Sequence, residues 1–327
     1  MSRLVLVAGV GRSGTSLMTG ILGQVGFHIP QPEIGADETN PKGFGEPAWV
    51  VDFHHRVMRR LRVTVFDSRP RAWELCDSAA NDPEVRGELR QWLKGELDQA
   101  DAVVVKDPRV GWFLPLWTGA AADVGVPASF VCMLRHPAQI LASAKRSYGD
   151  WQSDASRAAA WLNVMLETER KTREMPRAFV RYEELLADWD QTLRRAGAAL
   201  GDPVLSEMDR SRFPSVDEFV DPTLHRAQTG WEALEVPPRV RDLAERVWKE
   251  LQPLADGEAA ESALDASHAE YDALYAEAES ISQSSVTAVK PRKRAPAAPP
   301  PNLKVRIARK IPPRYRKRLR ALAGRAR

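Results

Sequence analysis

Residues 4–20 have the sequence LVLVAGVGRSGTSLMTG. The apolar run 4–8 predicts a buried β-strand, the glycines of residues 9–14 predict a turn, and the following segment predicts a helix over 15–25. Glycine lets the backbone curl around an anion, and the free N–H groups at the start of the helix point toward that anion. The stretch therefore predicts a phosphate-binding turn, with a tight turn that binds no ligand as the alternative.

The turn departs from the motif of nucleoside-triphosphate enzymes at one position. Residues 9–16 match the spacing G-x-x-x-x-G-K-[ST], but Thr15 stands where the lysine that reaches the β- and γ-phosphates is needed. A cation occurs earlier in the turn, as Arg12. The substitution argues against hydrolysis of ATP or GTP and favours an anion site of another kind.

The rest of the chain alternates short apolar runs with helical patterns, which is typical of βαβ units. Strands are predicted at 4–8, 102–106, 129–134 and 178–181. Helices are predicted at 15–25, 84–99, 137–146, 155–173, 190–200, 236–253 and 259–280. The predicted fold class is therefore α/β, a P-loop NTPase-like three-layer fold with a central parallel sheet.

Two separate motifs resemble those of sulfotransferases that use 3′-phosphoadenosine 5′-phosphosulfate (PAPS). The sequence VGRSGTS at residues 10–16 resembles the 5′-phosphosulfate loop of that family, in which Lys or Arg precedes S-G-T. Residues 134–143 resemble its 3′-phosphate signature, with Arg135 after a strand, Pro137 in the first helical turn and Ser143 on the same helix. Their order along the chain makes the pair far more specific than either motif alone.

The resemblance covers roughly residues 4–201, with an extension through 221–224, and it implies roles for individual residues. Lys106, after the strand VVV, is similar to a strand-end lysine near the transferring sulfuryl group. Residues 181–185 resemble a segment whose tyrosine approaches the adenine, which is Tyr182 here; an ordinary strand-end tyrosine is the alternative. The implied donor-binding residues are Gly11, Arg12, Ser13, Gly14, Thr15, Ser16, Arg135, Ser143 and Tyr182.

The predicted catalytic residues are Arg12, Lys106 and Glu46. Arg12 and Lys106 would stabilise the negative charge of the transferring group, and a general base must take the acceptor's proton. Small-molecule cytosolic members of the family place a histidine two positions after the lysine, where this chain has Pro108. Residues 40–46 instead resemble a segment that supplies a glutamate in other branches, which points to Glu46, with an ordinary loop carboxylate as the alternative.

Three nearby side chains are kept as further candidates. His54 and His55 lie one to two helical turns beyond Glu46 and are the reserve candidates for the base. Asp107 is a candidate for orienting Lys106 or Arg109 through a charge-assisted hydrogen bond.

The resemblance implies PAPS as co-substrate and adenosine 3′,5′-bisphosphate as product, and no metal is expected. The expected acceptor is a hydroxyl of a carbohydrate, a glycolipid or another small molecule. One rival is a P-loop nucleotide kinase or NTPase, which Thr15 disfavours; the other is a non-catalytic membrane or nucleic-acid binding protein, which the retained motif residues disfavour.

The aromatic side chains are expected in one of two places. One group lies either in an acceptor cleft or in the core: Trp49, Phe53, Trp112, Phe113 and Trp117. Trp151, Trp161 and Trp189 are assigned to packing.

Charge divides the chain into an acidic body and a basic tail. The net charge is +3, yet residues 287–327 hold 15 Lys and Arg and no acid, which leaves residues 1–286 with 32 basic and 44 acidic residues. We predict a sulfotransferase domain at 1–280, a Ser/Pro-rich linker at 281–302 and a basic, amphipathic tail at 303–327. The tail fits an anionic membrane surface, with a solvated tail as the alternative and nucleic acid less favoured.

The predicted location is the cytoplasm, with a peripheral position at the inner face of the membrane if the tail binds lipid. Two cysteines, Cys76 and Cys132, do not form a disulfide framework, and no apolar run approaches the ~18 residues of a membrane span. The sequence leaves the oligomeric state undetermined.

Overall fold

The computed structural model describes residues 2–38, 40–221 and 230–286, with side chains through residue 282. The chain divides after Ala278 into two units, and the first unit is described below. Most of the predicted linker, the basic tail at 303–327 and the family-like extension at 222–224 lie outside the described residues.

Four parallel strands form one sheet. They are β1 (Arg3–Ala8), β2 (Ala102–Lys106), β3 (Ala128–Leu134) and β4 (Arg177–Arg181), in the order β2-β1-β3-β4. Leu4 of β1 lies opposite Val103 of β2 and Ala128 of β3. Each strand lies within two residues of its predicted bounds, because uninterrupted apolar runs are typical of strands covered on both faces.

Helices follow the strands and surround the sheet. Gly201, at φ +65°, ends α9, as predicted for a glycine after a helix. The helices are α1 (Thr15–Gln24), α2 (Ala48–Leu61), α3 (Ala72–Asp77), α4 (Pro83–Leu97), α5 (Leu114–Asp123), α6 (Pro137–Tyr148), α7 (Asp154–Thr172), α8 (Tyr182–Ala187), α9 (Trp189–Leu200), α10 (Pro203–Ser206), α11 (Pro214–Phe219), α12 (Pro238–Leu251) and α13 (Glu261–Val286).

Alternate residues of each strand enter two separate cores. Leu4, Leu6 and Ala8 of β1 pack with α2, α4, α5, α7 and α12, whereas Val5 and Val7 pack with α1, α9 and α11. The sheet therefore lies between two helical layers, which confirms the predicted three-layer α/β fold.

Two sequence-based expectations need correction. Trp151 is 66% exposed, so its assignment to packing is wrong, whereas Trp161 and Trp189 are buried as predicted. Helix α13 extends to Val286, so residues 281–286 at the start of the predicted linker are helical.

Both cysteines are free and buried. Within the described part of the chain, no helix combines the length and apolar character needed to cross a membrane.

Candidate active site

The strand order gathers the motif residues at one edge of the sheet. The turn after β1, Lys106 at the end of β2, Arg135 after β3 and Tyr182 after β4 all lie at the carboxyl ends of parallel strands. The chain after β1 runs to β2 on one side, whereas the chain after β3 runs to β4 on the other side, so the connections from these two neighbouring strands leave in opposite directions. Such a point is where open α/β sheets leave a crevice for a ligand.

The turn between β1 and α1 has the backbone of an anion cradle. Gly9, Arg12 and Gly14 have φ values of +132°, +76° and +99°. For Arg12 this left-handed conformation is strained, since only glycine adopts it without a steric penalty. Backbone conformations of this kind allow N–H groups of a turn to face one point, and α1 adds the positive end of its dipole. The N–H of Ser13 is used within the turn, where it donates to the carbonyl of Val10 at 3.1 Å.

Gly14 is required by the side chain that packs against it. A Cβ atom at Gly14 would lie 2.3 Å from Cδ2 of Tyr182, which is closer than real Cβ contacts allow. Tyr182 is 7% exposed, and the guanidinium of Arg135 lies over its ring at 4.5 Å. The turn, Tyr182 and Arg135 therefore form one packed unit.

Arg12, Arg135 and Ser143 meet on one side of the turn. Arg12 donates from Nε to Ser143 Oγ at 3.1 Å, and Arg135 donates from Nη1 to the carbonyl of Arg12 at 3.0 Å. Burial lowers the pKa of Arg135, and the charges of Arg12 and Arg146 act in the same direction. No carboxylate among the described residues forms an ion pair with Arg135, so this side of the site favours an anion.

Lys106 lies on the other side of the turn, almost fully buried. Its ammonium donates to Ser16 Oγ at 3.2 Å, to the carbonyl of Phe44 at 3.1 Å and to the carboxylate of Glu46. Lys106 thus joins the anion cradle to the predicted base. The site therefore has a second cation besides Arg12 of the turn, and β2 supplies it.

The segment that carries Glu46 is fixed to its surroundings. The carbonyl of Glu46 accepts from the N–H of Ile34 at 2.8 Å. Gly45, at φ +63°, lies so close to Thr19 of α1 that a Cβ atom would approach Thr19 Cγ2 to 2.9 Å. Asn40 donates to Ser16 Oγ at 3.1 Å and closes the segment over the turn. Glu46 is therefore held at the site by backbone as well as by Lys106.

Burial moves both members of the Lys106–Glu46 pair toward their neutral forms. Desolvation raises the pKa of Glu46, although the charge of Lys106 opposes this shift. Desolvation also lowers the pKa of Lys106, with the charge of Glu46 in opposition. A carboxylate whose pKa lies above its usual value is a better proton acceptor near neutral pH.

A cavity of about 440 Å³ opens at this edge, a size suited to a small-molecule ligand. Ser13 does not line it; its hydroxyl is buried beneath the turn, beside Gly9. The other predicted site residues all line the cavity: Gly11, Arg12, Gly14, Thr15, Ser16, Glu46, Lys106, Arg135, Ser143 and Tyr182.

The reserve candidates for the base lie elsewhere. His54 is fully buried, and its Nδ1 and Nε2 atoms lie 3.2 Å from Asp107 Oδ1 and 3.0 Å from Trp117 Nε1. Because an indole N–H only donates, Nε2 of His54 accepts and Nδ1 donates to Asp107. His55 is exposed and does not line the cavity. His54 thus joins α2 to the end of β2.

Asp107 orients Arg109 rather than Lys106. Its carboxylate accepts from the N–H of Arg109 and from the guanidinium of Arg109, both at 2.7 Å. Burial alone would raise the pKa of Asp107, but the hydrogen bonds from His54 and Arg109 and the charge of Arg109 outweigh it and hold the pKa below its usual value.

The predicted aromatic group belongs to the core and does not line the cavity. Phe53, Trp112, Phe113 and Trp117 are fully buried, and Trp49 stacks on Trp92 with ring centroids 4.7 Å apart. The core interpretation of this group is confirmed.

Sequence reasoning missed several residues that line the cavity. Arg146 lies three residues after Ser143 on α6, so the helical period places it near the same position. Phe219 packs on α1, where a Cβ atom at Gly20 would lie 2.3 Å from Phe219 Cζ, and no local pattern signals this contact. Lys42 and Tyr148 also line the cavity.

The described ranges contain no group of three or more His, Cys, Asp or Glu side chains that could hold a metal ion.

Comparison with known proteins gives one match. Residues 5–207, more than half of the chain, match the model described as the sulfotransferase family. This range contains β1 from Val5 onward, all of β2, β3 and β4, and every residue predicted for the site. No curated protein and no solved structure matches the chain.

Proposed function

The chain belongs to the sulfotransferase family, and we propose that it transfers the sulfuryl group of PAPS to a hydroxyl of a carbohydrate, a glycolipid or another small molecule. The observation that carries this proposal is a pair of cationic positions on opposite flanks of one anion cradle. Lys106 ends β2, Arg135 follows β3, and β1 with its turn lies between these strands.

Two separated cations suit a ligand with two separated anionic groups. Neighbouring strands are about 4.8 Å apart, so the ends of β2 and β3 are separated by roughly 10 Å. A nucleotide with a phosphosulfate at its 5′ end and a phosphate at its 3′ position carries charge at two such points. The turn and Lys106 would hold the 5′ end, and Arg135 with Ser143 would hold the 3′-phosphate.

In the proposed reaction, the acceptor oxygen attacks the sulfur while the bond from sulfur to the bridging phosphate oxygen breaks. Adenosine 3′,5′-bisphosphate leaves with that electron pair, and the acceptor's proton passes to Glu46. Lys106 stabilises the charge that develops on the sulfuryl and bridging oxygens, and Arg12, whose charge acts on both Lys106 and Arg135, adds to this stabilisation. The backbone N–H groups of the turn fix the leaving group, so the protein contributes positioning and electrostatics rather than a covalent intermediate.

The contact between Lys106 and Glu46 supports these two roles. The ammonium hydrogen-bonds both Ser16 of the turn and Glu46, so the charge-stabilising and proton-accepting groups lie side by side. Burial raises the pKa of Glu46, which improves it as an acceptor of a hydroxyl proton.

The proposal is tested with PAPS labelled in its sulfuryl group and a panel of hydroxyl acceptors. We expect label in an acceptor together with adenosine 3′,5′-bisphosphate in equal amount. Lys106→Ala should lower the rate at least about 100-fold, the scale of one lost charge-stabilising group. Arg90→Ala is the matched control, because Arg90 is exposed on α4 and does not line the cavity. ATP hydrolysis without label transfer would refute the proposal.

A further inference from the structure

Three large apolar side chains are exposed on two chain segments that meet at the cavity. Trp151 is 66% exposed, Tyr148 43% and Leu75 41%. Tyr148 also lines the cavity, and Trp151 follows it by three residues. Exposed aromatic and aliphatic groups gathered near a site indicate a surface that is covered by a partner.

The same region carries arginines without acidic partners. Residues 59–75 contain five arginines and two acids. Arg60 and Arg69 are paired with Asp82 and Asp67, at 2.8 Å and 2.7 Å. By contrast, the exposed residues Arg59, Arg62 and Arg71 make no ion pair within the described part of the chain. In a body whose acids outnumber its bases, this stretch is a local concentration of positive charge.

Phe66 connects the segment that carries the arginines with the segment that carries Tyr148 and Trp151. Its ring centroid lies 6.0 Å from that of Tyr148, and its Cζ lies 3.9 Å from where a Cβ atom would stand at Gly11 in the turn. The carbonyl of Phe66 accepts from Nε2 of Gln152 at 3.1 Å. The arginine segment and the segment with Tyr148 and Trp151 therefore touch at the cavity.

The backbone that presents the arginines is held from beneath. Asn163, 3% exposed, donates from Nδ2 to the carbonyls of Asp67 at 2.9 Å and Arg69 at 3.1 Å. Trp112 donates from Nε1 to the carbonyl of Val65 at 3.2 Å. The chain between Arg62 and Arg71 is therefore fixed, and its exposed side chains start from a preorganised base.

We propose that these six residues dock the cavity mouth on an anionic lipid bilayer, where a membrane lipid presents the acceptor hydroxyl; this docking rim comprises Arg59, Arg62, Arg71, Leu75, Tyr148 and Trp151. The guanidinium groups bind headgroup phosphates, and the Trp, Tyr and Leu side chains enter the interfacial region. The identity of the acceptor rests on the proposed sulfuryl transfer, whereas membrane binding does not. A polyanionic carbohydrate would bind the arginines but leave Leu75 in water, so the bilayer fits the rim better.

The test is sedimentation of the full chain with vesicles of phosphatidylcholine, with and without phosphatidylserine. Each arginine at an anionic surface raises the partition coefficient of the protein between water and vesicles about fivefold. Changing Arg59, Arg62 and Arg71 to Gln together should therefore weaken vesicle binding about 100-fold. The matched control changes Arg90, Arg212 and Lys249 to Gln, which removes the same charge from exposed side chains without ion pairs in the described residues. The basic tail is present in every protein compared.

A second variant isolates the apolar part of the rim. Trp151→Ser removes no charge and should weaken binding about tenfold, and the loss should persist at high salt, where the electrostatic part is screened. Thermal unfolding checks that each variant folds. Equal losses for the rim and control triples would overturn the proposal. So would unchanged vesicle binding together with lost binding to heparin by the rim triple, since that result would identify a polyanionic carbohydrate as the partner.

Discussion

Glu46 carries the proton transfer in this account, and its surroundings make a specific kinetic signature. Replacing it by Gln keeps its shape and removes its basicity, so kcat should fall by ~10² to 10⁴ while the Kd for adenosine 3′,5′-bisphosphate stays the same. Because Glu46 must be ionised to accept a proton, wild-type kcat should rise with pH through the raised pKa of Glu46.

That acid limb of the pH profile should be absent in Glu46→Gln. Rapid-mixing measurements of donor turnover across pH provide the test, with Glu38→Gln as control, since Glu38 is an exposed carboxylate that also lines the cavity. An unchanged kcat in Glu46→Gln would remove Glu46 from the mechanism.

In the proposed function Arg135 and Ser143 bind the 3′-phosphate, so they should discriminate between nucleotides with and without that group. A charge-assisted hydrogen bond contributes about 1.5–3 kcal/mol, so Arg135→Ala should weaken binding of adenosine 3′,5′-bisphosphate about tenfold to 100-fold. Ser143→Ala should have a smaller effect in the same direction. Binding of adenosine 5′-phosphosulfate, which has no 3′-phosphate, should change far less. Equal losses for both nucleotides would contradict this assignment.

At the scale of the element, the turn before α1 depends on Gly14 for two separable reasons. Its φ of +99° disfavours any other residue, and the Tyr182 ring leaves no room for a Cβ atom. Gly125 has a φ of +75° but nothing within 4 Å of its Cβ position. Gly125→Ala should therefore lower the free energy of unfolding by about 1 kcal/mol through backbone strain alone.

Gly14→Ala should lower the free energy of unfolding by more than Gly125→Ala and also weaken nucleotide binding, because Tyr182 and Arg135 are displaced with it. Urea unfolding of the two variants measures the difference. If they were equally stable, the contact between the turn and Tyr182 would be unimportant.

His54 joins two elements and is expected to act on stability rather than on chemistry. His54→Ala leaves a cavity, removes the partner of Trp117 Nε1 and removes one of the hydrogen bonds to Asp107, which should lower the free energy of unfolding by about 2–5 kcal/mol. The kcat of the folded protein, measured at low temperature, should change less than tenfold. His55→Ala, at an exposed position, should change neither. A His54 variant of native stability and little activity would restore His54 as the candidate base.

Sequence patterns predicted some elements better than others, for physical reasons. β2 and β3 are apolar without interruption, and α9 has a capping aspartate and a terminal glycine, so their bounds follow from local chemistry. The short helices α3 and α10 have neither enough residues for a helical period nor caps that differ from those of turns. The sequence does not distinguish Trp151, which is 66% exposed, from the buried Trp161 and Trp189, because the exposure of a side chain depends on tertiary structure.

For the whole molecule, the charge division of the sequence gives a further prediction. Every predicted site residue lies within residues 1–278, so deleting residues 287–327 should leave the unfolding transition and the Kd for adenosine 3′,5′-bisphosphate unchanged. The deletion should reduce binding to anionic vesicles but not abolish it, because the docking rim remains. Calorimetry and vesicle sedimentation on full-length and shortened chains test both parts. Lost nucleotide binding after the deletion would place part of the donor site in the tail.

The strand-end motifs predicted which residues line the cavity, because parallel strands bring their carboxyl ends to one edge of a sheet. Arg12, Lys106 and Arg135 were therefore brought together as expected. The contacts of Phe219 and Phe66 with the site join segments far apart in sequence and follow only from the packing of the complete fold.

The central claim is that this cavity binds a nucleotide with separate 5′ and 3′ anionic groups. Titration calorimetry with adenosine 3′,5′-bisphosphate, adenosine 5′-monophosphate and ATP, without added metal, tests it most directly. We predict that the bisphosphate binds at least about tenfold more tightly than the monophosphate, because only the bisphosphate occupies the site of Arg135 and Ser143, and more tightly than ATP. Tightest binding of ATP, or equal binding of the bisphosphate and the monophosphate, would contradict the account.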